Sequence, residues 1–238
     1  DITNLTGGRR TKIVWSREVG AVNHPFGGGT YRLMAFDTAE GVERDVLGTT
    51  GNYFRAKINR DGSKIYYNSG SQLRVVNWNG TGDALVSNDM ALGTIWYDSG
   101  ANKEYAFVAV GSGCMDSNTN ADLYKVDLSN PSSRTLVWTG QLEALWLSVS
   151  LDGAWLGGSF PWSTCGVIPS TGGTYLQTEG GCWSSISPQS GSYRFAVFDG
   201  PHRNWIVWDF NGSSYSNRRV VVLNNAPGIN GWEVYHPR

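Results

Sequence analysis

Three histidines, His24, His202 and His236, are the side chains of this sequence best suited to proton transfer. An imidazole changes its protonation state near neutral pH, so it can serve as a general acid or a general base. His202 is followed directly by Arg203, whose guanidinium can pair with a carboxylate. These four residues are therefore the candidate catalytic groups, for a reaction in which a proton moves on an acidic substrate.

Tryptophan is abundant, with 11 residues in the chain. Sugar rings present flat C–H faces that pack on tryptophan, while their hydroxyl groups need amide, carboxylate and guanidinium partners. The candidate platforms are Trp146, Trp162, Trp183, Trp205 and Trp232. The candidate polar partners are Arg55, Asp116, Asn118, Asp199, His202, Arg203 and Glu233. This combination predicts carbohydrate binding, although packing inside the fold is the ordinary role of any single tryptophan.

Two alternatives to a binding protein stay open. A polysaccharide-degrading enzyme could be a lyase that uses the histidines and Arg203 on a uronate. It could instead be a glycoside hydrolase, which needs two carboxyl groups about 5 to 10 Å apart, and the acids available are Asp116, Glu143, Asp199 and Glu233. A protein-interaction platform is the other alternative, and its mark would be an exposed apolar patch.

A further pattern suits a metal ion. Asp116, Asn118, Asn120 and Asp122 place oxygen ligands at every second residue, as calcium loops do. The glycine that such loops carry at the sixth position is Ala121 here, so an ordinary polar loop is the alternative. Three converging imidazoles would also suit zinc or copper. The sequence establishes no cofactor, and calcium is the candidate that it favours.

Two cysteines, Cys165 and Cys182, flank a predicted hairpin and could form a disulfide across it. A disulfide would indicate an oxidising compartment, and hence a secreted or periplasmic protein. Buried free thiols are the equally weighted alternative.

Composition limits the kinds of partner that the protein is expected to bind. The net charge of −1, from 19 basic and 20 acidic residues, gives no field suited to a phosphate backbone, so nucleic acid is not expected. No apolar run reaches the roughly 18 to 20 residues that span a bilayer, so no membrane span is expected. With 31 glycines and only 16 % charged residues, the chain reads as all-β. We expect one module of a larger carbohydrate-active protein.

A four-part unit recurs along the chain and must position these residues. Each unit has an apolar run, a polar glycine corner, a β-branched or aromatic strand, a loop, and two further strands. The corners are Asn59-Arg60-Asp61-Gly62, Asp98-Ser99-Gly100, Ser150-Leu151-Asp152-Gly153 and Ser187-Pro188-Gln189-Ser190-Gly191. The unit is predicted to be a four-stranded antiparallel blade.

The corners Ser150-Leu151-Asp152-Gly153 and Ser187-Pro188-Gln189 carry a family resemblance. With the aromatic-rich strands after them, they resemble the TolB-like, PD40-type β-propeller repeat, whose first strand ends in a Ser-Pro-Asp-Gly corner. The resemblance runs through nearly the whole chain. It implies the propeller fold and says far less about activity.

The two ends of the chain are predicted to close the ring. Residues 11–15 behave like a second strand with no first strand before it, and residues 231–238 behave like an innermost strand without a corner. The predicted fold is an all-β, five-bladed β-propeller in one domain, in which the C-terminal strand completes the N-terminal blade. The blades are residues 11–50 plus 231–238, 52–88, 90–139, 142–179 and 181–225.

In a propeller, the loops between second and third strands and the starts of the innermost strands lie on one face. Aligning the innermost strands on their corners places Arg55, Trp146, Trp183 and His236 at equivalent positions, with Gly93 as the fifth. All three histidines then lie on this face and on two adjacent blades. The sequence therefore predicts the site at this mouth of the central channel.

Overall fold

The computed structural model describes residues 2–20, 29–111, 119–143, 146–161, 163–187, 189 and 191–223. These residues form 19 β-strands in five antiparallel sheets, with one short helix, α1, at Ile2–Leu5. The predicted all-β fold class is confirmed. Within the described part of the chain, no helix has the length and apolarity needed to cross a bilayer.

Four sheets have four strands each, and consecutive strands pair within each sheet. The second sheet contains β4 Tyr53–Ile58, β5 Lys64–Ser69, β6 Gln72–Asn77 and β7 Ala84–Ser87, and the third contains β8 Met90–Asp98, β9 Lys103–Val110, β10 Thr119–Asp127 and β11 Asn130–Leu142. The fourth contains β12 Ser148–Val149, β13 Trp155–Ser159, β14 Thr164–Pro169 and β15 Leu176–Gly180, and the fifth contains β16 Cys182–Ile186, β17 Tyr193–Phe198, β18 Asn204–Phe210 and β19 Tyr215–Val222. The recurring unit is thus a four-stranded meander.

The first sheet has three strands among the described residues: β1 Lys12–Glu18, β2 Tyr31–Asp37 and β3 Glu43–Asp45. Strands β1 and β2 pack against β4, as β13 and β14 pack against β16 in the fifth sheet. By this comparison β1 occupies the place of a second strand. The innermost strand predicted at residues 231–238 lies outside the described residues.

Apolar side chains hold neighbouring sheets together. The alternation of each strand sends buried residues to both faces of its sheet, and they meet those of the next sheet. Four clusters join consecutive sheets, represented by Leu33 with Tyr67, Leu73 with Val108, Phe107 with Leu156, and Val167 with Phe195. Burying one such side chain stabilises the fold by about 1.5 to 3 kcal/mol. The blades are therefore fixed face to face, as a β-propeller requires.

Strand register sorts the connections onto two faces. The first residues of the innermost strands pair with the last residues of the second strands, at Tyr53 with Ser69, Met90 with Val110, and Cys182 with Phe198. The loops between second and third strands therefore share one face, here called the mouth face, with the starts of the innermost strands. The glycine corners lie at the opposite face, here called the corner face.

The corners keep glycine for a steric reason. Gly153 has a φ of +69°, and a Cβ there would lie 2.2 Å from ring atoms of Trp96. Asp152 fixes the same turn, since its Oδ1 accepts hydrogen bonds from the Ser150 hydroxyl and the Ala154 backbone N–H. The Ser-x-Asp-Gly pattern is thus a self-contained turn that packs under the neighbouring blade.

Candidate functional site

The innermost strands carry a bulge near the mouth face. Arg55 in β4 has a φ of 55° and Trp183 in β16 has a φ of 48°, values that residues other than glycine rarely adopt. The register shifts lie between Phe54 and Lys57, between Leu92 and Thr94, and between Cys182 and Ser185. Arg55, Gly93 and Trp183 therefore occupy equivalent bulge positions, where the ladder releases a residue from pairing.

Trp146 meets Trp183 across two neighbouring blades. Trp146 lies in one helical turn just before β12, and both indoles are half-buried. Their ring centroids are 5.9 Å apart and their planes are perpendicular, at 90°. This edge-to-face contact leaves part of each indole surface at the mouth face.

Three further rings extend this contact. His202 lies 4.5 Å from Trp183 between ring centroids, and Phe198 lies 5.9 Å from Trp183. Trp205 stacks on Phe198 at 6.3 Å and is 39 % exposed. We call Trp146, Trp183, Phe198, His202 and Trp205 the aromatic cluster. It joins an innermost strand, the loop of residues 199–203 and the start of the third strand.

Asp199 holds the loop that carries His202. Its carboxylate accepts hydrogen bonds from the backbone N–H groups of Arg203 and Asn204, at 2.8 and 3.1 Å, and from the Asn204 amide at 2.6 Å. Burial alone would raise the pKa of Asp199, but these hydrogen bonds lower it, so the group stays ionised. Asp199 thus acts as a positioning residue in the structure, while the Arg203 side chain is exposed.

Glu143 is a buried carboxyl beside the aromatic cluster. It precedes β12 and is 5 % exposed, and its backbone N–H donates to the Ser159 carbonyl at 3.0 Å. Burial raises the pKa of Glu143 to about 7, although hydrogen bonding with Trp146 and Ser159 and the charge of Arg55 act in the lowering direction. Its Oε2 has no hydrogen-bond partner among the described residues. This carboxyl therefore changes protonation state near neutral pH.

Strand β4 supplies positive charge at the same place. Arg55 and Lys57 are both half-buried, and the Arg55 guanidinium lies 5.7 Å from the centre of the Phe54 ring. Burial, and then the charge of Arg55, lower the pKa of Lys57. Arg55 thus acts on both Lys57 and Glu143.

Gly93 contributes backbone to the mouth. A Cβ at Gly93 would lie 2.6 Å from the Leu147 Cδ1 atom and 3.0 Å from the Phe107 carbonyl oxygen. Leu147 is buried and directly follows Trp146. The absence of a side chain at Gly93 therefore leaves room for Leu147. The position of Leu147 in turn constrains the adjacent Trp146.

Several predicted site residues lie outside the described residues: His24, Trp162, Trp232, Glu233 and His236. Of the three histidines only His202 is described, so their convergence stays a prediction. The enzyme alternatives stay predictions for the same reason, because His24, Glu233 and His236 belong to this set and Asp116 also lies outside the described residues.

The calcium pattern falls partly on a strand. Asp116 and Asn118 lie outside the described residues, while Asn120 and Asp122 belong to β10 instead of the predicted loop. Asp122 accepts a hydrogen bond from the Tyr124 hydroxyl at 3.3 Å. Where residues are described, no group of three or more His, Cys, Asp or Glu side chains could hold a metal ion.

Cys165 and Cys182 are buried and do not form a disulfide with each other. The Cys165 Sγ atom lies 3.3 Å from the Gly181 carbonyl oxygen and 3.4 Å from the Ser159 hydroxyl, and burial raises the pKa of this thiol. The structure therefore matches the alternative of buried thiols and not the predicted disulfide. The two cysteines thus give no support for an oxidising compartment.

A cavity that sequence reasoning missed lies at the corner face. It has a volume of about 480 Å³ and lies where three innermost strands end; its apolar lining is Ile58, Ile95, Trp96, Val149 and Leu151. The Trp96 indole N–H donates to the Leu151 carbonyl at 2.9 Å, so this tryptophan bridges two blades. It serves packing, the ordinary role expected for a single tryptophan.

Exposed apolar residues also occur at the outer rim. Val220, Val221 and Val222 of the outermost strand β19 are each 45 to 47 % exposed. An exposed edge of this kind is the mark that the interaction-platform alternative requires.

Comparisons with known proteins support the fold. No family model matches this chain, and no curated protein matches its sequence. An oligogalacturonate lyase in complex with manganese is 14 % identical, with a TM-score of 0.51, and the match covers 84 % of this chain and 59 % of the lyase chain. Tricorn protease is 11 % identical, with a TM-score of 0.53, over 89 % of this chain and 25 % of the protease chain.

A protein of unknown function from Bacteroides caccae is 10 % identical, with a TM-score of 0.53, over 92 % of this chain and 76 % of its own. At these identities the likeness shows the β-propeller fold alone. The chain spans less than two thirds of the lyase, whose covered share is 59 %.

Proposed function

We propose that the mouth face of this propeller binds a saccharide on the aromatic cluster. The observation that carries the proposal is the contact of Trp146 with Trp183, two half-buried indoles from neighbouring blades whose rings meet edge to face. Perpendicular rings form a corner in which one face and one edge of a sugar ring can pack. Aromatic platforms of this kind recognise sugars through their C–H faces.

Polar groups stand beside these platforms. Trp146 and Arg55 both act on the Glu143 carboxyl in the direction that lowers its pKa. His202 packs on Trp183. A guanidinium, a carboxyl and an imidazole supply donors and acceptors for sugar hydroxyl groups. The few polar groups around an apolar surface match the usual composition of small-ligand sites.

Ring closure belongs to the same proposal. We place residues 231–238 as the innermost strand of the first sheet, which gives five blades and leaves no open edge at β1. The support is the position of β1 and β2 against β4, which matches that of second and third strands elsewhere. This strand would bring Trp232, Glu233 and His236 to the mouth face. A secreted or periplasmic module that meets extracellular polysaccharide fits such a site.

A polysaccharide-degrading enzyme is the second candidate, and Glu143 favours it. A carboxyl whose pKa is raised to about 7 is suited to giving or taking a proton at neutral pH. The solved structures of similar fold include a lyase named for oligogalacturonate, which is compatible with this candidate. Turnover of a bound oligosaccharide would distinguish an enzyme from a lectin-like protein.

The test is a panel of oligosaccharides titrated calorimetrically against the wild type and two tryptophan variants. Trp183→Ala removes the centre of the aromatic cluster, and we expect at least a tenfold loss of affinity. Trp208→Ala is the matched control, because Trp208 lies in the third strand of the same blade and packs near Tyr215, at 6.2 Å. Equal loss in both variants, with both folded, would reject the site.

A further inference from the structure

We infer that Glu143 takes up a proton when a carboxylated saccharide binds beside Arg55, so that the mouth prefers acidic sugars to neutral ones. This inference rests on the proposed saccharide site and names the class of sugar that it selects.

The surroundings of Glu143 favour its neutral form. The residue is 5 % exposed, and its Oε2 lacks a hydrogen-bond partner among the described residues. Trp146 and Ser159 act on the carboxyl in the direction that lowers its pKa, but they do not replace the water that an ionised carboxylate loses on burial. A protonated Glu143 needs less solvation and can donate its own O–H to a ligand.

Charged and titratable groups reach Glu143 from several elements. Arg55 and Lys57 come from β4, and Arg55 is the cation that opposes the protonation of Glu143. Cys165 comes from β14, and burial keeps its thiol neutral. In the fifth sheet, His202 belongs to the aromatic cluster. Both carboxylate oxygens of Asp199 accept hydrogen bonds from its own loop. Arg55 is therefore the charge that a ligand anion would share.

A bound carboxylate changes this balance in one direction. When the bound carboxylate pairs with Arg55, it adds a negative charge beside Glu143. It also offsets part of the Arg55 charge that favours the ionised form of Glu143. Two carboxylates that share one site retain one proton between them. The proton comes from solvent, binds a Glu143 carboxyl oxygen, and can then bridge to the ligand carboxylate. A neutral sugar brings no such charge, so its binding takes up no proton.

The linkage sets the pH dependence. Well below pH 7 Glu143 already carries its proton, so an acidic sugar binds without proton uptake. Above pH 7 the free protein must gain the proton on binding, so affinity for the acidic sugar falls by roughly tenfold per pH unit. Affinity for a neutral sugar changes little over the same range.

The experiment compares a galacturonate trimer with a galactose trimer by titration calorimetry at pH 6, 7 and 8. Each titration is repeated in phosphate and in Tris, whose different ionisation heats reveal the number of protons taken up. We expect close to one proton per bound galacturonate trimer at pH 8, none for the galactose trimer, and an acidic-to-neutral preference that falls with pH. These wild-type measurements show whether a proton is taken up with the acidic trimer, and the variants below identify the group that binds it.

Two variants locate the proton. Glu143→Gln should abolish proton uptake and make the affinity for the galacturonate trimer independent of pH. Arg55→Gln should remove the preference for the acidic trimer. If both trimers bind without proton uptake, the inference is wrong while the saccharide site stands. If neither trimer nor any other saccharide binds, the proposed function itself fails.

Discussion

The imidazole of His202 rests on the indole of Trp183, with ring centroids 4.5 Å apart and planes tilted by 47°. Both residues have positive φ angles, 55° and 48°, although neither is glycine. Such backbone conformations cost about 1 to 3 kcal/mol each and persist where surrounding contacts hold them. A loop and an innermost strand of the same blade therefore fix each other at the mouth.

His202→Ala separates catalysis from binding. The variant removes the imidazole but keeps the loop, because Asp199 still accepts from the backbone of Arg203 and Asn204. For a binding protein we expect affinity to fall by about threefold to tenfold, in line with one lost ring contact. For an enzyme that uses His202 as acid or base, turnover should fall by 10² or more. Calorimetry and product analysis of the same sample measure the two effects.

Glu143→Gln should change how stability depends on pH. The folded-state pKa is raised from the ordinary 4.5 to about 7, so the native state holds a proton that the unfolded chain has lost. The wild-type free energy of unfolding should therefore fall as pH rises from 4.5 to 7, by an amount on the order of 3 kcal/mol. Glutamine carries no proton to lose, so this slope should disappear in urea unfolding measured across the range.

The exposed Glu43, which pairs with Arg17, is the control. Its glutamine variant should keep the wild-type slope. A wild type without any fall in stability between these pH values would contradict the burial of Glu143.

Gly93→Ala should destabilise the packing beneath the mouth face. The new Cβ would lie 2.6 Å from Leu147 Cδ1, so Leu147 must move and Trp146 beside it must follow. We expect a loss of about 1 to 3 kcal/mol in the free energy of unfolding, the usual cost of overpacking a core. Gly200→Ala is the control, since nothing lies within 4 Å of a Cβ there. Equal stability of the two variants would show that this contact is not tight.

Asp127→Asn tests the hairpin of the third sheet in acid. Hydrogen bonding with Lys103, and then with Ser129, lowers the pKa of Asp127 to about 2 from 3.8. This stabilising contribution is present above pH 3.8 and is lost as the pH falls through about 2. Asparagine keeps an acceptor for Ser129 but not the ion pair, so the melting temperature at pH 7 should fall by roughly 2 to 4 °C. At pH 2 the two proteins should melt nearly together, and a constant difference would refute the assignment.

Deleting residues 231–238 tests the closure of the ring. If these residues complete the first sheet, the deletion exposes the edge of β1 and the protein should lose its cooperative thermal transition. A synthetic peptide of residues 231–238 should restore that transition when added in trans. A truncated protein that melts like the full chain would refute the five-blade arrangement.

The parts of the fold that were predictable from sequence are those set by local bonds. The turn that contains Ser150 and Asp152 is held by hydrogen bonds between neighbouring residues. Its sequence pattern can therefore be recognised without knowledge of the rest of the fold. Alignment from these corners also placed Arg55 and Trp183 at matching positions, because antiparallel pairing carries register along a strand.

Where the structure differs from what the sequence pattern indicates, the difference has a physical cause too. Oxygen ligands at every second residue are also the pattern of one face of a strand, and Asn120 and Asp122 lie in β10. Cysteines that flank a hairpin need matched Cβ directions to form a disulfide, and spacing along the chain does not set those directions. Glu143 was only one acid among several, because its burial arises in the folded chain, where it lies beside Ser159 of another strand.

The two bulge positions, Arg55 and Trp183, are suitable sites for protein engineering. A bulge residue stands outside the regular ladder, so exchanging the side chain of Arg55 or Trp183 removes no backbone pair of β4 or β16. Randomised libraries at these two codons would therefore vary the side chains of the proposed saccharide site while the stacked sheets keep their own backbone hydrogen bonds.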